Sequence, residues 1–222
     1  MSNPFQELAD TWWDTEGPFK TLHDINPCRM GFMQQYVDFN QKEVLDLGCG
    51  GGILSEAIAK VGAKVTGLDI EESLIHVAKT HAHQENLNIT YQAGNVEDFN
   101  HQGFDIIVCM EMLEHVESPG GILKECRRLL KPGGMLFLST INRTLKAYVE
   151  LILMGEYVLN LLPRQTHDYK HFIQPAELAQ YLREQDFELL HLKGMGYNPI
   201  IRQSHLKDGV DVNYLMMAKV SN

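Results

Sequence analysis

Glu111, Glu114 and His115 follow an apolar run in the stretch "CMEMLEHV" (Cys109 to Val116). Two carboxylates and an imidazole at this spacing can do one of three things. They can ligate a divalent cation, take a proton from a hydroxyl, or form the polar start of a helix. On an α-helix, positions i, i+3 and i+4 share one face, so a helical reading brings the three side chains together. Hard oxygen ligands suit Mg²⁺, and a histidine is tolerated beside them. A glutamate at a helix start is also favoured by the helix dipole alone. The eight residues leave the three readings open.

A second constellation lies upstream. "VLDLGCGGG" places Gly48, Gly50, Gly51 and Gly52 between a buried strand and a helix. Glycines there permit positive φ and let a ligand approach the backbone. Asp69 ends the next strand, 21 residues after Gly48, where a carboxylate can accept hydrogen bonds from both hydroxyls of a ribose. The dinucleotide fingerprint G-x-G-x-x-G needs glycine at position 53, which is Ile53. The spacing is G-x-G-x-G, preceded by Asp46.

The elements that must hold these residues alternate. "KEVLDLG", "AKVTGLDI", "NITYQAG", "FDIIVCM" and "MLFLSTI" read as strands. Ile53 to Gly62, Glu71 to Glu85 and Gly120 to Leu130 read as helices, the last ending at the turn "KPGG". A long apolar helix (Leu145 to Leu162), a loop, a helix from near Pro175 and the strands "FELLHLKGM" and "VNYLMMAKV" complete the chain. This alternation predicts an α/β fold with a mostly parallel sheet covered on both faces. The last two strands follow without an intervening helix, so one is expected to be antiparallel.

Composition excludes several classes. The chain has 222 residues and a formal net charge of −10, which argues against non-specific nucleic-acid binding. Its four cysteines, Cys28, Cys49, Cys109 and Cys126, form no C-x-x-C pair and are expected to be reduced thiols. The start "MSNPFQELADTWWD" lacks the apolar stretch of a signal peptide. His81 and His83 lie among polar residues and are expected to be solvated. His167 and His171 flank "THDYKHF", in a loop where an acceptor contact and a satisfied loop histidine are equally open.

The glycine spacing resembles motif I of the class I S-adenosylmethionine-dependent methyltransferases. "GLDI" matches their ribose-binding strand end, "GNVED" (Gly94 to Asp98) their adenine loop, and "LLKPGGMLFLST" the approach to their fifth strand. The flanks narrow the resemblance. "WWDTEGPFKTLHDINPCRMGFM" (Trp12 to Met33), "CMEMLEHV", "THDYKHFIQPAEL" and "YNPI…GVDVNY" are similar to the bacterial ubiquinone-biosynthesis O-methyltransferases, from about residue 10 to 219.

That resemblance implies a Rossmann-like, mostly parallel seven-stranded sheet with helices on both faces and an N-terminal helical cap. It implies a single domain over 1–222: cap 1–40, cofactor core 41–142, an acceptor-covering segment 143–186 and C-terminal strands 187–222. Residue by residue, it implies that S-adenosylmethionine is bound by Arg29, Gly48, Asp69 and Met110; Gly50, Ile70 and Val96, in the same motifs, are further cofactor-binding candidates. It further implies Mg²⁺ dependence, with Glu111, Glu114 and His115 as candidate ligands or catalytic groups. The implied acceptor is a polyprenylated catechol or quinol. Rival readings are a small-molecule N- or C-methyltransferase and a non-catalytic cofactor-binding protein.

Residues 145–164 bear on the membrane. Arg143, Lys146, Glu150, Glu156, Asn160 and Arg164 fall within an arc of roughly 140° of a helix. The remaining face is apolar, which suits either an interfacial helix or one packed on its own sheet; the segment is too short and interrupted to span a bilayer. The expected location is the cytoplasm, peripheral at the inner membrane face, with other ubiquinone-biosynthesis enzymes as further partners.

Overall fold

The computed structural model describes residues 8–148 and 169–221. Its strands are β1 (Glu43–Leu47), β2 (Lys64–Asp69), β3 (Thr90–Ala93), β4 (Phe104–Met110), β5 (Leu130–Ile141), β6 (Phe187–Asn198), β7 (Gln203–Lys207) and β8 (Asn213–Val220). The longer helices are α1 (Lys20–Gln34), α2 (Ile53–Lys60), α3 (Glu72–Gln84), α4 (Pro119–Leu129) and α5 (Pro175–Glu184). The strands form one eight-stranded sheet in the order β3-β2-β1-β4-β5-β8-β6-β7. Strands β1 to β5 are mutually parallel, and β8, β6 and β7 are added antiparallel.

The expectation of seven strands is one too low. The additional strand is β7, which pairs with the far end of β6 at the sheet edge. Its sequence, "QSHLK", has no buried apolar face, so periodicity does not mark it. The "KPGG" turn also behaves differently from expectation. Leu130 already pairs with Phe104, and the register then slips before Ile106 meets Met135. The glycines therefore form an irregularity within β5 rather than a break before it.

The core follows from strand alternation. Leu45, Ile107, Cys109, Leu136 and Leu138 point to one face, against Leu123, Cys126 and Leu129 of α4 and Leu178 and Leu182 of α5. Val44, Ile106, Val108 and Phe137 point to the other, against Phe32 and Met33 of α1 and Leu54 and Ile58 of α2. Each fully buried leucine or phenylalanine contributes about 1.5–3 kcal/mol. The order reverses between β1 and β4, the point at which open α/β sheets bind ligands in the crevice outside the carboxyl ends of the strands.

The expected apolar helix over Leu145–Leu162 lies largely outside the described residues. Its start is a short turn, Leu145–Ala147, capped by Thr144, whose side chain accepts the Ala147 N–H at 3.0 Å. No helix among the described residues is long and apolar enough to cross a membrane.

Candidate active site

The turn after β1 brings the glycines to the crevice. Gly48 has φ +74°, and a Cβ there would lie 2.7 Å from Met112 Cγ. Gly50 has φ +52°, and a Cβ there would lie 2.6 Å from the Trp12 ring. Any side chain at either position meets both backbone strain and a clash. The Gly50 N–H donates to Asp69 Oδ2 at 2.8 Å, and the Glu71 N–H to Oδ1 at 2.9 Å. The end of β2 and the glycine turn are thus tied together. Burial raises the Asp69 carboxyl above its ordinary range, and the backbone donors partly offset this.

The remaining expected cofactor residues divide. Ile70 is 71% exposed beside Asp69, an apolar surface open to a ligand. Met110 ends β4 and is buried. Val96 is buried in the core, and its carbonyl accepts from Arg128 at 3.1 Å. Arg29, on α1, is buried, with Nη2 3.4 Å from Glu111 Oε1. Its Nε and Nη2 have no hydrogen-bond acceptor among the described residues. Beside its ion pair with Glu111, this buried guanidinium keeps hydrogen-bond donors for a further anion.

Asp46 is a site residue to which the sequence alone assigns no role. It is buried, accepts from Ser55 Oγ at 2.6 Å and feels the charge of Arg29. Burial pushes its carboxyl up to about 6. Its place immediately before the glycine turn is the available signal. Trp12 belongs in sequence only to a flank, yet its ring covers Gly50 and Gly51.

Glu111, Glu114 and His115 do not share a helical face, contrary to expectation. Glu111 continues the strand pairing, its N–H reaching Ser139 O at 3.1 Å, and then turns at φ +54°. A left-handed conformation costs a non-glycine residue about 1–2 kcal/mol. Only Leu113–His115 form a single tight turn. Glu114 points inward and is 3% exposed, whereas His115 is exposed. Glu114 Oε2 accepts from Thr140 at 2.7 Å, and Oε1 is buried with no hydrogen-bond partner among the described residues. Glu111 Oε1 accepts from Ser139 Oγ at 2.7 Å and Oε2 from Asn213 at 3.2 Å. Burial, with the nearby Glu111 charge, pushes the Glu114 carboxyl up to about 8.

This geometry tests the Mg²⁺ expectation. The two carboxylates supply hard oxygens, and the idle Oε1 of Glu114 suits a cation. A three-ligand site is not assembled, because no group of three His, Cys, Asp or Glu side chains that could hold a metal occurs among the described residues. Of the histidines elsewhere, His83 is exposed as expected, and His81 differs from expectation. His81 is not simply solvated: it stacks on Trp13 at 3.4 Å between ring centroids and bonds Glu56 Oε1 at 2.7 Å. His171 lies exposed in a short turn, and His167 is outside the described residues.

Residues 29–192 match the family model described as a methyltransferase domain. A Coxiella burnetii protein named ubiquinone biosynthesis O-methyltransferase is 52% identical over 213 residues, covering 95% of this chain and 91% of that protein. The protein of the same name from Aromatoleum aromaticum is 49% identical over 218 residues, covering 97% and 93%. The chain belongs to the ubiquinone biosynthesis O-methyltransferases. Solved structures agree on the fold of this family. Magnesium protoporphyrin IX methyltransferase from Synechocystis PCC 6803, with bound SAH, superposes with a TM-score of 0.70 at 19% identity over 94% of this chain and 88% of that one. The PH0226 protein of Pyrococcus horikoshii OT3 gives 0.72 at 18% identity over the full length of both. As an O-methyltransferase of ubiquinone biosynthesis, the chain is an enzyme that uses S-adenosylmethionine, and the non-catalytic reading falls away.

Proposed function

We propose that this enzyme methylates hydroxyls of polyprenylated catechol and 3-demethylubiquinol intermediates, with the crevice between β1 and β4 holding both reactants. The observation that carries the reading is the pair of Glu114, buried, and Glu111, partly buried, set at the end of β4 beside Arg29. On the cofactor side, Asp69 binds the ribose hydroxyls and Ile70 covers the adenine near the Val96 loop. Gly48 and Gly50 shape the turn that the methionine portion approaches, where Met112 and Trp12 lie against them and would yield to the ligand, with Met110 as a wall of the crevice. Arg29 meets its carboxylate with the idle donors, and Asp46 complements its ammonium group.

The sulfonium is already activated, so the protein has to align the partners and remove one proton. Glu114 is suited to that proton, because its Oε1 is buried with no hydrogen-bond partner among the described residues and burial raises its carboxyl above the ordinary glutamate range. With Mg²⁺ bound, Glu111 and Glu114 would instead serve as its ligands, and the metal would supply a Lewis acid that lowers the pKa of the acceptor hydroxyl. His115 sits exposed on the same turn and would have to swing inward to join them. The site would operate at the cytoplasmic membrane surface, where segment 145–164 meets the lipid that carries the substrate.

The test is methyl transfer from labelled S-adenosylmethionine by the purified protein, offered short-chain catechol, demethylubiquinol, amine and carbon acceptors. Only the two hydroxyl acceptors should be labelled. Chelator should abolish turnover and added Mg²⁺ restore it. Glu111→Ala and Glu114→Ala should raise the Mg²⁺ requirement more than His115→Ala does. Labelling of amines alone, or parental rates in all three variants, refutes the assignment.

A further inference from the structure

Three polar side chains at the carboxyl edge of the sheet converge on the acidic pair. Ser139 and Thr140, both fully buried, are consecutive on β5 and therefore point to opposite faces. Ser139 shares its face with Phe137, on the α1 side, and Thr140 with Leu136 and Leu138, on the α4 side. Asn213 begins β8 opposite Ile141, on the same face as Leu215 and Ser139. Ser139 Oγ donates to Glu111 Oε1 at 2.7 Å, and Asn213 Nδ2 donates to Glu111 Oε2 at 3.2 Å. From the other face, Thr140 Oγ1 donates to Glu114 Oε2 at 2.7 Å.

A hydroxyl buried among core side chains is unfavourable unless a hydrogen bond compensates it. Here the compensation goes to two carboxylates. Both oxygens of Glu111 are held and one of Glu114, so a single oxygen of the pair, Glu114 Oε1, remains buried without a hydrogen bond among the described residues. Glu111 also needs such a hold, because its positive φ would otherwise let the turn relax.

We propose that Ser139, Thr140 and Asn213 are positioning residues for methyl transfer, a clip from the ends of β5 and β8 that fixes both carboxylates and leaves Glu114 Oε1 to serve the acceptor. This rests on the reading of Glu111 and Glu114 as acceptor-side groups. Supporting groups of this kind typically change activity by about 10–100-fold when removed.

Thr140→Val keeps the shape and deletes the donor; Thr140→Ser keeps the donor. With a short-chain catechol, Thr140→Val should lower kcat by about 10–100-fold. The KM for catechol and the calorimetric Kd for S-adenosylmethionine should stay near the parental values. Thr140→Ser should restore most of kcat. Parental kcat in Thr140→Val, with Glu114→Gln inactive, overturns the clip and leaves the acidic pair standing. Full activity of Glu114→Gln overturns both. Cofactor affinity falling in step with kcat, without rescue by serine, marks a merely structural role and also overturns the clip. Should Thr140→Val fail to fold, Asn213→Ala decides: the clip requires a loss of about tenfold in kcat at unchanged cofactor Kd, and a parental kcat overturns it.

Discussion

Asp69 has both carboxylate oxygens engaged by backbone N–H groups, yet each oxygen retains a further lone pair for a ribose hydroxyl. Hydrogen bonds to a charged group are worth about 1.5–3 kcal/mol each, and the same carboxylate shapes the glycine turn. Asp69→Ala should therefore weaken S-adenosylmethionine binding at least about tenfold in a calorimetric titration, with the fold intact by circular dichroism. Asp46 supplies a pH-dependent counterpart. Its folded pKa, about 6, lies above the usual aspartate value, so the unfolded chain gives up this proton first. Stability is then lost as pH rises from about 4 through about 6. Asp46→Asn, which cannot ionise, should gain stability relative to the parent as pH goes from about 4 to about 7, by up to about 3 kcal/mol. Melting of both ligand-free proteins across that range checks the sign. A difference that moves in the parent's favour as pH rises would contradict it.

Among the elements, those with strong periodicity are legible in the sequence, and those whose role is set by long-range contacts are not. The five parallel strands and the glycine turn follow from apolar runs closed by Gly48, Asp69 and Met110. The acidic turn after β4 is deceptive because a helical spacing and a single tight turn look alike over five residues; the positive φ of Glu111 depends on Ser139, distant in sequence. β7 is silent because its side chains carry no apolar alternation. The flank "YNPI" becomes intelligible only in three dimensions. Tyr197 and Arg202 converge on Asp24 of α1, with Tyr197 Oη at 2.7 Å and Arg202 Nε at 3.0 Å from Oδ2, so the β6–β7 turn clamps the N-terminal segment. That segment carries Trp12 across the glycines, and Trp13 Nε1 donates to Gly51 O at 3.0 Å. Asp24→Ala should loosen the clamp and weaken cofactor binding by about fivefold, equivalent to about 1 kcal/mol. Trp12 and Trp13 are the chain's two tryptophans, so their fluorescence reports the same segment. Emission unresponsive to cofactor in the parent, or unchanged affinity in Asp24→Ala, would separate the clamp from the site.

At the scale of the whole molecule, the proposed function brings a water-soluble cofactor and a polyprenylated acceptor together at one edge of one sheet. The residues proposed to hold the cofactor lie mainly on the β1 and β2 side, and the acidic pair stands at the end of β4. The chain leaves β5 toward segment 145–164 from the same edge, through Asn142 and the Thr144 cap. Leu145, at the start of that segment, is 75% exposed. The segment's sequence combines a broad apolar face with flanking Lys146, Arg143 and Arg164, a composition that suits a helix in a membrane interface as well as one packed on its own sheet. If that face enters lipid, each leucine contributes about 1.5–3 kcal/mol to binding. Leu151→Glu combined with Leu159→Glu should then lower partitioning onto anionic liposomes by at least about a hundredfold. Turnover of a short-chain, water-soluble catechol should stay near normal, because the chemistry resides at the sheet edge. A double variant that is unfolded by circular dichroism would instead place those leucines in the protein core. A folded variant with parental liposome binding would assign the membrane contact to another surface.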